Sequence, residues 1–307
     1  MSTISRRHFI GASLGLAALG SSATESFGFF KQKSPLLAFS TLGAPKWSFD
    51  KILDYASKYG YKGIEIRGIL DEMDLPKCPE FNSPAAIKAS VAKAKKKGVR
   101  IIGLGASAKL HLADEKLRKE NLDEARRFID LADQLNCPYV RVFPNNLPKN
   151  QDREQTIQLI IDGLKELGDY AKKTKVKVLL ESHGEVIHKD LLLRIMKAAE
   201  HPKVALIWDV FNMWSVTKES PTEVYAALSK YIEHVHIKDA VREGDKWRYV
   251  QVGQGITPVA EAISCLVKGG YKGYYSFEWE KKWHPTIPEP EEVFPEFPKA
   301  IAPMLAV

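Results

Sequence analysis

The stretch IEHVHIKDA, residues 232–240, alternates polar and apolar side chains. Successive side chains of a β-strand point to opposite faces, so His234, His236 and Lys238 would share one face and Val235 and Ile237 the other. Five further apolar runs behave in the same way: KGIEIRG (62–68), PYVRVFP (138–144), KVLLESHGE (177–185), VALIWDV (204–210) and YYSFEWE (274–280). One face of the six runs carries Glu65, Arg141, Glu181, Asp209, His236 and Glu278. Polar groups converging from several strand ends are what an active site at the mouth of a parallel β/α barrel requires.

Short apolar runs alternate with amphipathic stretches from about residue 35 onward, which is typical of repeated βα units. We predict strands near 36–40, 62–67, 99–104, 138–143, 176–181, 203–209, 232–238 and 273–279. We predict helices near 48–59, 84–97, 115–135, 152–174, 188–199, 222–228, 257–267 and 291–302. Eight such units predict an α/β fold, a (β/α)8 TIM barrel forming one catalytic domain over residues 35–307. An open doubly wound sheet is the alternative, but no glycine-rich phosphate loop follows the first strand.

The first 23 residues differ from the rest, because Arg6 and Arg7 precede the apolar stretch IGASLGLAALG. This stretch is too short for a mature transmembrane helix, and small residues follow it at 21–23, where a signal peptidase could cut. The pattern resembles a twin-arginine (Tat) signal peptide, with a Sec leader or an uncleaved anchor as alternatives. We expect residues 1–23 to be this leader, residues 24–34 a short linker, and the enzyme to be exported to the periplasm or secreted.

Composition excludes few classes of function but limits the partners. The net charge is +7, and lysines are scattered through helical segments rather than gathered in one stripe. We therefore expect no nucleic-acid partner, and no membrane partner once the leader is removed. The three cysteines, Cys78, Cys137 and Cys265, are far apart, which argues against a disulfide framework or a thiolate zinc site. The sequence leaves the oligomeric state open, with a homo-oligomer among the options.

Glu181, Asp209, His236 and Glu278 close the fifth to eighth predicted strands, which are neighbours around a barrel. Three carboxylates this close repel one another unless a cation neutralises them. With one imidazole they form a hard, oxygen-rich site that suits Mn²⁺, Mg²⁺, Co²⁺ or Zn²⁺. We therefore predict one divalent metal here, with Mn²⁺ as the expected ion.

These motifs resemble the xylose isomerase-like barrel superfamily, in its sugar phosphate isomerase/epimerase branch. GYKGIEIRG, VLLESHGE, WDVFN, HVHIKDA and GYKGYYSFEWE match the family patterns of strands two, five, six, seven and eight. The resemblance implies that Glu181, Asp209, His236 and Glu278 are metal ligands. It also implies that Glu181 and Glu278 are the catalytic pair that moves a proton beside the carbonyl of a keto-sugar through an enediolate intermediate.

Further residues are predicted to bind substrate from their positions. His183 and Lys238 lie two residues after Glu181 and His236, on the same faces, and Arg141 could clamp a hydroxyl, carboxylate or phosphate. Lys238 could instead hydrogen-bond to a metal-bound carboxylate. Tryptophans in loops after the first and sixth strands are candidates for a wall on which a sugar stacks. The complete predicted substrate-binding set is Glu65, Arg141, His183, Lys238, Trp47 and Trp214.

Two other activities remain open on this scaffold. A lyase or hydratase that cleaves 3-keto-glycosides would need the same metal and base, and would suit an exported enzyme. An AP endonuclease is the third option, but related multi-metal enzymes carry a histidine where this chain has Asn212. The sequence therefore favours a divalent-metal-dependent isomerase or epimerase of a small sugar substrate.

Overall fold

The computed structural model describes residues 35–306, and the predicted leader and linker lie outside them. The barrel strands are β1 Leu36–Ser40, β2 Gly63–Ile66, β3 Arg100–Lys109, β4 Tyr139–Phe143, β5 Lys177–Glu181, β6 Val204–Asp209, β7 Ile232–Ile237 and β10 Tyr274–Phe277. These eight parallel strands close into a barrel in the order β1-β10-β7-β6-β5-β4-β3-β2. The predicted (β/α)8 barrel is therefore confirmed, with each strand within a few residues of its expected place.

Ten α-helices accompany the strands of the described chain and cover the outside of the barrel. They are α1 Phe49–Lys58, α2 Pro84–Lys96, α3 Glu115–Gln134, α4 Arg153–Tyr170, α5 Lys189–Ala198, α6 Val210–Thr217, α7 Pro221–Leu228, α8 Val259–Lys268, α9 Pro290–Val293 and α10 Phe297–Leu305. Side-chain oxygens of Ser48, Ser83, Asp114 and Asp152 accept backbone N–H groups at the helix starts. These caps satisfy donors that have no partner inside the helix. None of the helices in residues 35–306 is long and apolar enough to cross a membrane.

Several regions differ from the sequence prediction. The predicted helix 291–302 is divided into α9 and α10, because Pro295 and Pro298 remove backbone donors and disfavour a continuous helix. The segment after β7 is an antiparallel hairpin of β8 Asp239–Glu243 and β9 Lys246–Val250. None of the predicted strands includes this hairpin.

The two faces of each barrel strand have different surroundings. Outward side chains such as Ile64, Trp208 and Phe277 are buried among the helices in the main core. A smaller apolar cluster of Leu179, Ala205 and Ile207 lies apart from that core. Leu179 and Ile207 each stand two residues before an acidic side chain at the strand end, so the alternation of the strand carries that acid onto the same inner face.

Candidate metal centre

Four polar side chains from adjacent strands meet at the mouth of the barrel, the end formed by the carboxyl ends of the strands. Glu181, Asp209, His236 and Glu278 each offer one ligand atom, and these atoms all lie within 4.8 Å of one another. His236 Nδ1 is 3.3 Å from Glu278 Oε1, 3.7 Å from Glu181 Oε1 and 3.8 Å from Asp209 Oδ2. All four residues are buried. We call them the four-residue cluster.

The register of the strands explains this convergence. Asp209 pairs with His236 across β6 and β7, and His236 pairs with Ser276 across β7 and β10. Glu278 follows Ser276 by two residues and therefore points to the same side. The N–H of Glu278 donates to the carbonyl of Ile237 at 3.1 Å, which continues the parallel ladder beyond the end of β10. The polar residues at the ends of β5, β6, β7 and β10 therefore lie on the inner faces of their strands and come close together at the mouth of the barrel.

The donor atoms of the cluster fit a divalent cation. His236 Nδ1 and Glu181 Oε2 are buried without a hydrogen-bond partner among the described residues, an arrangement that is costly unless a ligand is bound there. Burial, reinforced by the charges of Glu181 and Asp209, raises the pKa of Glu278 to about 7 against the opposing effects of His236 and Lys238. Burial and the neighbouring acids both disfavour the ionised form of Glu278, which a cation bound beside it would stabilise. Three carboxylates and one imidazole could hold Mn²⁺, Mg²⁺, Co²⁺ or Zn²⁺.

Lys238 stands among the acids at the mouth and is almost fully buried. Its Nζ lies 2.8 Å from Asp209 Oδ2 and 2.6 Å from Glu278 Oε2, and it also donates to Glu280 Oε1. Burial opposes the charged form, but Asp209, Glu278 and Glu280 outweigh it and raise the pKa of Lys238. Of the two roles predicted for Lys238, this geometry supports the hydrogen bond to a cluster carboxylate.

Arg141 and His183 line the wall on the β4–β5 side. Arg141 Nε is 3.4 Å from Glu181 Oε2, and its guanidinium lies 3.7 Å from the centre of the Phe143 ring. Although burial opposes it, the charge of Arg141 together with His236 lowers the pKa of Glu181. His183 Nδ1 is 3.0 Å from Asn145 Oδ1, and the ring packs against Phe143. Both residues therefore stand beside the cluster, as their positions in the sequence predict.

Sequence reasoning missed one buried arginine at this wall. Arg67 follows Glu65 by two residues, and its guanidinium donates to the carbonyl of Gly105 at 3.2 Å and to Ser107 Oγ at 2.9 Å. A Cβ at Gly105 would lie 2.7 Å from Arg67 Cδ and 2.8 Å from Arg141 Nη2, so glycine is required to fit both guanidiniums. Burial, together with the charge of Arg141, lowers the pKa of Arg67 to about 9. The two-residue spacing from Glu65 was the signal that could have found it.

Glu65 occupies a different place from the one predicted. Its Oε2 is 3.0 Å from His236 Nε2, its Oε1 is 3.1 Å from His234 Nε2, and Ser276 Oγ donates to Oε1. Protein groups therefore engage both carboxylate oxygens, which leaves neither turned to a sugar. This placement differs from the predicted substrate contact, and it groups Glu65 with the two histidines of β7.

The two predicted tryptophans lie in unlike surroundings. Trp47 is buried against Tyr55 and Phe294, and its indole N–H donates to Glu291 Oε1, so it belongs to the packing of the core rather than to a pocket wall. Trp214 lies on α6 rather than in a loop, is half-buried, and packs near Trp247 of the hairpin. Its position directly after β6 agrees with a wall of the mouth.

Comparison with known proteins places these features in a family. The sequence model of the family described as xylose isomerase-like TIM barrel matches residues 53–300. Fructoselysine 3-epimerase of Shigella flexneri is 25% identical over 248 residues, covering 78% of this chain and 87% of the relative. Inosose isomerase of Halalkalibacterium halodurans is 26% identical over 236 residues, covering 74% and 81% of the two chains. These relatives confirm the predicted class of enzyme, a sugar isomerase or epimerase.

Solved structures agree with the fold. A crystal structure of the IOLI protein with a bound zinc atom superposes with a TM-score of 0.74 at 21% identity, covering 88% of this chain and 98% of that one. The eight-stranded barrel and its helices are thus a known architecture. The match over residues 53–300 shows that the chain belongs to the xylose isomerase-like TIM barrel family.

Proposed function

We propose that this protein is a divalent-metal-dependent isomerase or epimerase of a keto-sugar. The observation that carries the proposal is the four-residue cluster, in which ligand atoms of three carboxylates and an imidazole lie within 4.8 Å of one another. Two of its buried atoms, His236 Nδ1 and Glu181 Oε2, have no hydrogen-bond partner among the described residues. The cation would be held by Glu181, Asp209, His236 and Glu278, with Mn²⁺ as the proposed ion. When bound, such a cation polarises a carbonyl group and stabilises negative charge that develops on its oxygen.

Two carboxylates form the proposed pair that moves a proton on either side of a substrate. In the barrel order β10-β7-β6-β5, Glu278 and Glu181 stand at the two ends of the arc, with His236 and Asp209 between them. Each carboxylate turns Oε1 toward His236 Nδ1 and Oε2 toward a cationic side chain, Lys238 for Glu278 and Arg141 for Glu181. Two flanking carboxylates suit the removal of a proton from one face of a carbon and its return to another.

Glu181 is the proposed base. Its Oε2 accepts no hydrogen bond from the described residues, and the Nε of Arg141 stays at 3.4 Å, beyond a normal hydrogen bond. Glu278 Oε2, by contrast, accepts from Lys238 Nζ at 2.6 Å. A free oxygen can take a proton, and the raised pKa of Glu278, about 7, suits a carboxyl group that returns one. Arg141, His183 and Trp214 would orient the sugar, since they line the wall beside Glu181 and the mouth above β6.

Export is part of the proposal and rests on the sequence of residues 1–23 alone. The paired Arg6 and Arg7 before an apolar stretch support the twin-arginine route. Replacing both arginines by lysine should retain the protein in the cytoplasm of its host, as seen by cell fractionation and immunoblotting. Unchanged export of the double variant would overturn this part of the proposal without touching the proposed chemistry.

Proton exchange in D₂O tests the proposed reaction. The purified protein is incubated with Mn²⁺ and a panel of ketoses and 3-keto-glycosides, and products are followed by NMR and mass spectrometry. Gain of deuterium beside the carbonyl, with the carbon skeleton retained, is the expected result. Release of an aglycone would instead establish the lyase, and neither outcome with any substrate would refute both.

A matched pair of variants connects the exchange to the proposed base. Glu181→Gln removes one negative charge at nearly constant volume and should abolish measurable deuterium exchange. Glu185→Gln makes the same chemical change four residues further along, at an exposed side chain that accepts a backbone N–H from Leu147. The control should exchange deuterium as the unchanged protein does, because glutamine keeps an acceptor there.

A further inference from the structure

We propose that Glu65 is a positioning residue, which holds His236 in the orientation and protonation pattern that leaves Nδ1 free as a metal ligand. The inference rests on the proposed metal site, but it concerns a residue outside the four-residue cluster. Glu65 lies on β2, and β1 and β10 separate it from β7 in the barrel order. Its side chain therefore reaches His236 across the interior of the barrel.

The first step is the direction of the hydrogen bond. Glu65 Oε2 lies 3.0 Å from His236 Nε2, and both residues are buried. An ionised carboxylate only accepts hydrogen bonds, so the proton of this contact must reside on Nε2. The opposite nitrogen, Nδ1, has no hydrogen-bond partner among the described residues and faces the carboxylates of Glu181, Asp209 and Glu278. Nε2 of the His236 ring therefore contacts Glu65, while Nδ1 faces the three carboxylates of the cluster.

The second step is how the carboxylate itself is fixed. Ser276 Oγ donates to Glu65 Oε1, and His234 Nε2 lies 3.1 Å from the same oxygen. Ser276 of β10 pairs with His236 of β7 in the sheet. The residue that anchors Glu65 is therefore a direct neighbour of the proposed metal ligand His236. With Oε1 held by Ser276, the plane of the carboxylate cannot turn freely, and Oε2 stays directed at His236.

The third step is the space that the side chain needs. Gly103 of β3 pairs with Glu65, and a Cβ there would lie 3.2 Å from Glu65 Cγ and 3.4 Å from its Oε2. The neighbouring strand thus leaves room for the acid to extend toward β7. Carboxylate partners of ligating histidines orient the ring and increase its basicity, and changing them typically lowers metal affinity by about 10–100-fold.

Nuclear magnetic resonance of the metal-free protein tests the orientation directly. Long-range ¹H–¹⁵N spectra of ¹⁵N-histidine-labelled protein report which ring nitrogen carries the proton, and the His236 signals are assigned by their loss in His236→Gln. We expect a proton on Nε2 of His236 in the unchanged protein. A His236 ring protonated on Nδ1 alone would overturn the inference, whether or not Glu65→Gln folds.

Metal affinity provides the second readout. Glu65→Gln should lower the affinity for Zn²⁺ and Mn²⁺ by about 10–100-fold in a chelator competition assay. Glu65→Asp, which keeps the charge on a shorter side chain, should recover part of that loss. The matched control is Glu233→Gln on the same strand as His236, where the carboxylate bonds Lys177 and Tyr139. The control should bind both metals as the unchanged protein does.

The outcomes separate this inference from the proposed function. An enzyme that exchanges deuterium normally, but whose metal affinity and His236 protonation are unchanged by Glu65→Gln, would overturn the positioning role alone. A protein with the expected Nε2 proton and a weakened Glu65→Gln variant, but without exchange on any sugar, would overturn the proposed reaction alone.

Discussion

At the scale of single residues, Asp209 combines a structural and a chemical role. Its Oδ1 accepts the backbone N–H of Asn212 at 2.7 Å and so caps α6, while Oδ2 belongs to the four-residue cluster. The N–H of Asp209 is in turn bound by Ser182 Oγ at 2.9 Å. One side chain therefore links the start of a helix to the proposed metal, so the helix fixes the orientation of the carboxylate.

Asp209→Asn separates these two roles. Asparagine caps helices about as well as aspartate. The substitution removes the ion pair with Lys238 but also the repulsion between Asp209 and Glu278, so the melting temperature of the metal-free protein should stay within about 3 °C of the original. The lost charge and ligand oxygen should lower metal affinity by more than about 100-fold, measured as metal content by mass spectrometry after dialysis. Asp152→Asn, at the exposed cap of α4 where Oδ1 accepts from Gln155, is the matched control and should keep its metal. Unchanged metal stoichiometry in Asp209→Asn would refute the ligand assignment.

Strand alternation was enough to identify the residues that form the cluster, because it needs only the period of two along each strand. It could not identify the partner of Glu65, since that contact joins β2 to β7 and depends on how the barrel closes. It also could not separate Trp47 from Trp214. Trp47 is buried by Phe294 and hydrogen-bonded to Glu291, about 240 positions later in the chain. Contacts of such sequence separation leave no local pattern.

At the scale of secondary-structure elements, one buried carboxylate at the start of the hairpin β8–β9 holds the loop that follows the hairpin. Asp239 accepts the N–H groups of Ala240 and Thr257 on Oδ1 and those of Gly253 and Gly255 on Oδ2. A Cβ at Gly255 would lie 2.1 Å from Asp239 Oδ1, so the loop after the hairpin can approach the acid only as glycine. The hairpin then presents Tyr249, whose hydroxyl donates to Glu280 at the mouth.

Replacing Asp239 by asparagine should loosen this loop. The amide group would turn an NH₂ toward two N–H donors, and hydrogen bonds to a charged acceptor contribute about 1.5–3 kcal/mol each, so we expect a loss of about 2–4 kcal/mol. Hydrogen exchange of the amides of Gly253, Gly255 and Thr257 should become at least about tenfold faster. Glu243→Gln, at an exposed ion pair with Arg248 in the same hairpin, should change stability by less than about 1 kcal/mol. Equal exchange rates in both variants would contradict the proposed role of Asp239 in holding this loop.

The elements that sequence reasoning missed are short or interrupted. Helix α6 spans only Val210–Thr217, and its sequence VFNMWSVT lacks the charged residues that mark a solvent-facing helix. It forms because Asp209 caps its first turn at the end of β6. The C-terminal helix was predicted as one element, because its apolar spacing continues across the prolines that divide it. The local sequence pattern therefore located the long elements. It failed where a capping residue starts a short helix or where prolines divide a longer one.

At the scale of the whole molecule, the C-terminal segment covers the seam at which the barrel closes. That seam joins β1 to β10, the first and last strands of the barrel. Phe294 packs 4.3 Å from Phe39 of β1, and Phe297 stacks 4.7 Å from Phe277 of β10, both measured between ring centres. The hydroxyl of Tyr61, just before β2, donates to the carbonyl of Phe294 at 2.7 Å. Chain ends far apart in sequence are thus joined in one aromatic cluster.

Tyr61 makes this closure sensitive to high pH. The residue is almost fully buried, and burial raises its pKa well above the usual value of 10. A group whose folded pKa is raised stabilises the fold fully below its unfolded pKa, and that contribution is lost as the pH rises toward the folded pKa. The unfolded chain releases the Tyr61 proton above about pH 10, whereas the folded chain retains it, so the loss amounts to about 1.4 kcal/mol for each pH unit.

Tyr61→Phe should therefore change its effect with pH. At pH 8 the variant should be less stable by about 1 kcal/mol, because the carbonyl of Phe294 loses its donor in a buried site. At pH 11 the original protein loses about 1.4 kcal/mol through ionisation of the unfolded tyrosine, a loss that phenylalanine cannot incur. The two proteins should then be nearly equal in urea unfolding experiments. Other titrating groups cancel in the comparison, so a stability difference that stays constant from pH 8 to pH 11 would show that Tyr61 is not buried at the seam.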